Sequence, residues 1–283
     1  MNLLLAPRRD LDLTAQRAVD EYFARNRPEY LFHCAGRVGG IQANNAYRAE
    51  FSRENMLMAA NLIHASHRHG VKKTLVLGSS CIYPRLAPQP MREEYIMSGP
   101  LEPTNEPYAM AKIAGLSMAR AYNAQYGMRV VLAIGANTYG PGDNFDPDAS
   151  HVIPGLLRKF HAAMESGAPE VVMWGTGTPV REFIYVEDLA DALLFLMRTH
   201  ESAELINVGS GEPVAVQQLA SAIAEVVGYS GRITRDLDKP DGMPKKVLDS
   251  SRLSSLGWRP KHDLRAGLSR TYAWFRANVR SPG

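Results

Sequence analysis

Residues 73–80 read KTLVLGSS, and this run decides the fold. Its apolar centre does not alternate with polar residues, and it ends in small ones. A strand with one wet face alternates, whereas a strand covered on both faces reads as a continuous apolar run. YLFHCAG (30–36) and MRVVLAIG (128–135) have the same form. Helical stretches separate them. Thr14–Asn26 places Ala18, Val19, Tyr22 and Phe23 at helical spacing behind a Thr-Ala-Gln-Arg start suited to capping. Ser52–His69 and Ala109–Tyr126 close on Gly70 and Gly127, as helices do when the next residue must turn left-handed. Long helices between buried strands require right-handed crossovers and a parallel sheet. The fold class is α/β, a doubly wound Rossmann-like sheet.

Beyond Pro141 the spacing loosens. HVIPGLLRKF reads as a helix, VVMWGTG and EFIYV as short strands, and Val186–Arg198 as a helix. ELINVGSG is a strand and turn, 250–258 a short helix with a glycine stop, and Val216–Val227 and Leu264–Ala277 are helices. Residues 1–141 are therefore expected to form the Rossmann-like domain. Residues 142–283 form a smaller α/β substrate lobe, with some segments returning to the sheet and RSPG (280–283) as a frayed tail. The opening MNLLLAPRRDLDL (1–13) raises a separate question. Asn2–Ala6 reads as a short buried strand, but such a fold normally begins one β–α unit earlier, with a glycine-rich turn that brings backbone N–H groups to a cofactor pyrophosphate. The sheet is thus expected to lack its first β–α unit and to be made continuous by Asn2–Ala6 moving in beside Tyr30–Cys34.

Composition narrows the function. With 283 residues, 45% hydrophobic and 22% charged, and a net charge of +3, the chain is an ordinary globular one with no call for a nucleic-acid partner. The local basic cluster Lys239, Lys245 and Lys246 suits a phosphate. Two cysteines, Cys34 and Cys81, are too few for a disulfide framework or a thiolate metal site. No apolar run approaches the ~20 residues of a membrane span, and a cytoplasmic location without membrane or metal is the expectation.

Tyr108-Ala-Met-Ala-Lys112 carries the chemistry. At i and i+4 on a helix the phenol and ammonium share a face, and a nearby cation would lower the phenol pKa so that it exchanges protons near neutrality. Alone the pattern is common. Here it follows a strand that ends Gly78-Ser79-Ser80-Cys81 and can deliver hydroxyls beside the phenol.

GSSCIYP (78–84), LEPTNEPYAMAK (101–112), YGPGDNF (139–145), SHVIP (150–154), WGTGTPVREF (174–183) and KPDGMPKK (239–246) together resemble the GDP-L-fucose synthase family. These are extended short-chain dehydrogenases acting as 3,5-epimerase and 4-reductase, and the resemblance runs over essentially the whole chain. It implies that Ser79 and Tyr108 bracket O4 of the hexose, that Lys112 tunes the phenol, and that Cys81 and His151 move protons at C3 and C5. It implies further that Asn137, Val152, Leu156, Trp174, Arg181 and Lys246 hold GDP, and that a homodimer forms through Ser52–His69 and Ala109–Tyr126. Read singly, Cys81 and Trp174 would more often be packing residues and His151 a helix-terminal one.

Three departures from the family shape the expected reaction. The chain has no GxxGxxG turn, GRVGGI (36–41) aligning instead with a loop near the sugar. Gly135-Ala136 stands where the family has a proline against the nicotinamide, and Lys159 stands where it has an arginine near the diphosphate. Arg8 and Arg9 could face a 2′-phosphate but read more simply as solvated charges. The preferred expectation is therefore a non-redox GDP-sugar isomerase with no cofactor, a pyranose–furanose mutase of GDP-fucose in which Tyr108 is the base at O4. The alternatives are an NADPH-dependent GDP-L-fucose synthase, a cofactor-free epimerase of a GDP-4-keto-6-deoxyhexose, and a non-catalytic GDP-sugar binder.

Overall fold

The computed structural model describes residues 2–147, 150–238, 241 and 243–279. Lys239 and the tail at 280–283 lie outside the described residues. In chain order the first elements are α1 (Gln16–Asn26), β1 (Tyr30–His33), α2 (Ile41–Ala46), α3 (Arg48–Arg68), β2 (Lys73–Ser79), α4 (Glu106–Tyr126) and β3 (Val130–Gly135). There follow β4 (Asn137–Tyr139), α5 (Val152–Ser166), β5 (Glu170–Trp174), β6 (Val180–Tyr185), α6 (Val186–Thr199) and β7 (Leu205–Val208). The chain closes with β8 (Pro213–Ala215), α7 (Val216–Val227), β9 (Arg232–Asp236), β10 (Lys245–Lys246), α8 (Ser251–Ser255) and α9 (Leu264–Asn278).

The run at 73–80 lies inside a parallel sheet of order β1-β2-β3-β7. Leu75 and Val76 of β2 and every residue of β3 are buried. The register sets Ser79 beside Gly135, and Gly135 beside Val208. In a parallel sheet all carboxyl ends emerge on one edge, and ligands of open α/β sheets bind outside that edge. A second sheet, β10-β6-β4 with β8 antiparallel to β6, and the parallel pair β5-β9 are built from the chain after β3, from which β7 returns to the first sheet. Tyr139, Leu157, Phe160, Leu219 and Phe275 are buried in an apolar cluster of their own there.

Two expectations are corrected at the N-terminus. Asn2–Pro7 is not a strand and does not join the sheet; Leu3 and Leu5 are 73% and 77% exposed. The N–H groups of Asp10 and Leu11 both donate to Pro7 O, forming a turn that ends the extended run. Leu11 and Leu13 then anchor the chain against Val19, Phe23 and Leu62, while Leu13 O accepts from Asn61 Nδ2 at 2.9 Å. The apolar anchor is thus a few residues later than the sequence suggests, and it leads under α1 and α3. In consequence β1 has no strand partner on its outer side among the described residues. Tyr30 and Phe32 are 52% and 38% exposed, so this strand is not covered on both faces. Thr14 is also not the expected cap: its N–H and hydroxyl both donate to Asp12.

α4 begins at Glu106, three residues before the expected start, so Tyr108 falls in its first turn. α4 lies against α3 through Gly115, where a Cβ would come 2.9 Å from Ala59 Cβ. Gly115→Val must therefore push two long helices apart. A loss of about 1–3 kcal/mol is expected, read as a lowered midpoint in urea with the slope unchanged.

Candidate active site

The small residues ending β2 let the chain turn sharply into a 3₁₀ turn, Ser80–Ile82, and Ser79 Oγ accepts the Cys81 N–H at 3.3 Å. Tyr108 enters from α4 and lies edge-on to Phe51 at 6.3 Å between ring centroids. The Ser79 hydroxyl lies close enough to act on the phenol. Lys112, one turn along α4, donates to Leu77 O at 3.2 Å and lies 5.8 Å from the Tyr108 ring centroid. Strand end and helix start thus converge as the sequence implies.

The electrostatics run opposite to expectation. Burial pushes the Tyr108 phenol well above its usual value, the Cys81 sulfur adds to the rise, and the Ser79 hydroxyl only partly opposes it. The Lys112 ammonium is directed to a backbone carbonyl, and burial lowers its own pKa. The causes that set the Tyr108 phenol are burial, Cys81 and Ser79, with none from Lys112 among them.

Cys81 has a partner that sequence spacing does not reveal: Lys246 Nζ donates to its sulfur at 3.2 Å. Burial raises the thiol pKa, but Lys246 and Ser79 together carry it below the ordinary value. His151 precedes the first residue of α5, and its imidazole is pushed down by desolvation and then by Lys246. Val152, Leu156 and Lys159 recur at helical spacing on α5, and Lys159 donates to Val172 O on β5, the strand that ends at Trp174. The Trp174 side is 60% exposed. Arg181 on β6 is in register with Lys246 on β10, and Asn137 is fixed by donating to Glu182 O at 3.1 Å.

Sequence reasoning passed over two carboxylates. Asp241 accepts the Thr176 N–H and hydroxyl, both at 2.7 Å, and its charge reaches Arg181. Gly175 and Gly177, with φ of +72° and +74°, wrap the loop around it, and a Cβ on Gly175 would come 2.2 Å from Asp241 Oδ1. The alternating glycines of WGTGT were the available signal. Glu182, 1% exposed within β6, accepts the N–H groups of Gly211 and Leu248 at 2.8 Å each. An acid inside the apolar run VREFIY was the signal there.

The profile described as the NAD dependent epimerase/dehydratase family matches residues 4–209. The chain belongs to that family. GDP-L-fucose synthase 1 of Arabidopsis thaliana is 51% identical over 278 residues, spanning 98% of this chain and 86% of that protein. GDP-L-fucose synthase of Escherichia coli K12 is 49% identical over 287 residues, spanning 98% and 89%. Among solved structures, a GDP-L-fucose synthetase from Naegleria fowleri bound to NADP superposes with a TM-score of 0.90 at 29% identity, over 97% of this chain and 85% of that one.

These likenesses overturn two expectations, the non-redox isomerase and the absence of a cofactor: at about half identity across the chain the relatives are synthases, and a solved relative carries NADP. The geometry supplies the physical reason. A mutase needs Tyr108 as a base at O4, yet burial raises the phenol, which suits it to giving a proton to an oxygen rather than taking one from O4. Gly135 carries no sign of a relaxed pocket either, since a Cβ there would meet only Leu77 and Leu189 side chains at 3.7 Å or more, ordinary packing distance.

Proposed function

We propose that this chain acts as an NADPH-dependent GDP-L-fucose synthase, taking a GDP-4-keto-6-deoxyhexose through 3,5-epimerisation and 4-reduction. The observation that carries the reading is the buried Tyr108 phenol, raised by burial, with the half-buried Ser79 hydroxyl acting on it. Reduction of a ketone needs a proton delivered to the carbonyl oxygen, and a phenol of raised pKa at that oxygen is a donor. The reacting end of a nicotinamide nucleotide fits these residues. Lys112 uses one hydrogen bond on Leu77, leaving two ammonium protons for ribose hydroxyls. Gly36 leaves bare backbone beside it, since a Cβ there would lie 3.0 Å from Asn55 Oδ1 and 3.3 Å from Lys112 Nζ.

When bound, NADPH supplies hydride for C4. The protein's own groups do the rest. Cys81 and His151 take and return protons at the carbons flanking the ketone, and the ketone oxygen, held by Ser79 and Tyr108, bears the enolate charge between those steps. Tyr108 then gives its proton to O4. Arg181 and Lys246, side by side on β6 and β10, supply cations for the diphosphate, and the exposed Trp174 indole offers a stacking face for guanine.

The direct test is incubation with a GDP-4-keto-6-deoxyhexose and NADPH, following absorbance at the nicotinamide band and the product by proton NMR. Cofactor oxidation matched by a product inverted at C3 and C5 is expected; oxidation without inversion, or neither, would sink the reading. Trp174→Ala is expected to weaken GDP binding roughly tenfold to hundredfold, the worth of one stacked base, as read by titration calorimetry.

A further inference from the structure

β6 changes partners at Glu182. Val180 and Arg181 lie opposite Lys245 and Lys246 of β10, whereas Phe183, Ile184 and Tyr185 lie opposite Asn137, Thr138 and Tyr139 of β4. On β8 the residue opposite Glu182 is Pro213, which has no N–H to give the ladder. At this break the Glu182 side chain, 1% exposed, supplies the missing acceptors. Oε2 accepts the Leu248 N–H and Oε1 the Gly211 N–H, each at 2.8 Å, and the Ser210 N–H bonds to the same carboxylate. Burying a carboxylate is costly, and backbone donors offset that cost. The fit is close: a Cβ on Gly209 would come 2.2 Å from Oε1.

Three residues given to GDP meet at this point. Arg181 is the chain neighbour of Glu182, and neighbouring side chains of a strand point to opposite faces. Asn137 Nδ2 donates to Glu182 O at 3.1 Å. Lys246 stands between two ties of its segment to β6: Val180 N–H donates to Pro244 O at 2.8 Å before it, and Leu248 N–H donates to Glu182 after it. The bonds of Val247 with Gln89 and Met91 set where the segment lies against the loop that follows Cys81. The bond to Glu182 sets its distance from Arg181. We propose that Glu182 is a positioning residue for the diphosphate, holding Lys246 of β10 and Arg181 of β6 at a spacing that two like charges would not keep by themselves. It acts from the far face of β6, through the backbone, and moves no proton. The identity of the diphosphate rests on the GDP-sugar reading above; the tie between the two strands does not.

The test is a double-mutant cycle on GDP binding by titration calorimetry, with wild type, Glu182→Gln, Lys246→Met and the double variant. Glutamine keeps the volume but sets an NH₂ group against a backbone N–H, so one donor loses its acceptor. Glu182→Gln is expected to weaken GDP binding about tenfold, the worth of a hydrogen bond to a charged group. In turnover with NADPH it should raise KM by a similar factor and leave kcat within about threefold, as loss of uniform binding does. A residue that only stabilised the fold would lower Tm and leave the affinity of the folded protein unchanged. In the Lys246→Met background the glutamine change should cost at least about threefold less than in the wild type, because the cation it places is gone. A GDP affinity within about twofold of wild type in Glu182→Gln overturns the proposal, and so do losses that multiply without coupling. Gly209→Ala drives a Cβ into the same carboxylate from another loop. It should weaken GDP in the same way, and it decides the matter if the glutamine variant does not fold. If GDP does not bind the wild type, the GDP-sugar reading fails and inorganic pyrophosphate replaces it in the same cycle. A wild type that binds neither overturns the proposal as well.

Discussion

Tyr108→Phe is expected to lower turnover in the reductive reaction by about a thousandfold, within the range that a positioned acid contributes, and to leave GDP affinity within twofold. Phenylalanine keeps the ring packed edge-on to Phe51 and removes only the hydroxyl on which Ser79 acts, so the fold and the nucleotide site are untouched. The two halves of the reaction should separate in this variant. Cys81 and His151 keep their places, so in heavy water the substrate should still exchange protons for deuterons beside its ketone, while cofactor oxidation stops. Residual reduction above a tenth of wild type would mean that O4 receives its proton by another route. The pH profile gives a second check with a definite sign. An acid works only while protonated, and burial raises this phenol above the usual phenol value near 10. Ionisation of Tyr108 should therefore cost no rate anywhere below about pH 10. An alkaline limb near neutrality that vanishes in Tyr108→Phe would contradict the assignment of the phenol as a buried acid.

The parts of this site legible in sequence are those set by local chain. β2 and β3 announce themselves because strands covered by helices on both sides tolerate no polar alternation, and Tyr108 and Lys112 share a helix face through spacing alone. The sign of the phenol's perturbation was not legible. It depends on burial, to which Phe51 from α3 brings its ring, and on the Cys81 sulfur. Both are tertiary facts. The same holds for Lys246 and Cys81, and for Glu182, whose carboxylate joins β6 to Gly211 and Leu248. Asn2–Ala6 fails differently. Its composition is that of a strand, but apolar character says only that a segment seeks cover. Leu11 and Leu13 found that cover first, under α1 and α3.

Lys73→Met should be the most damaging substitution away from the site, for a reason that composition hides. Lys73 opens β2 at 1% exposure, with Nζ donating to Met197 O at 2.9 Å, His200 O at 2.6 Å and Glu201 Oε1 at 3.0 Å. The two carbonyls belong to the last turn and cap of α6, where the helix dipole favours a cation. Methionine fills much the same volume, so the loss is of hydrogen bonds rather than of packing, and buried acceptors are left without donors. The expected cost is about 3 kcal/mol, lowering Tm by roughly 6–12 °C for a chain of this size. The pH dependence separates the contributions. Arg129 and Lys73 hold Glu201 at about 2, below its ordinary 4.5. A carboxyl depressed in the folded state stabilises above its unfolded pKa, and this stabilisation is lost as pH falls through the folded value. The gap between wild type and Lys73→Met should therefore narrow between about pH 5 and pH 2, leaving the part due to the two carbonyls. A gap independent of pH would assign the whole loss to the α6 carbonyls, and a gap below about 1 kcal/mol would mean that water replaces the ammonium at the end of α6.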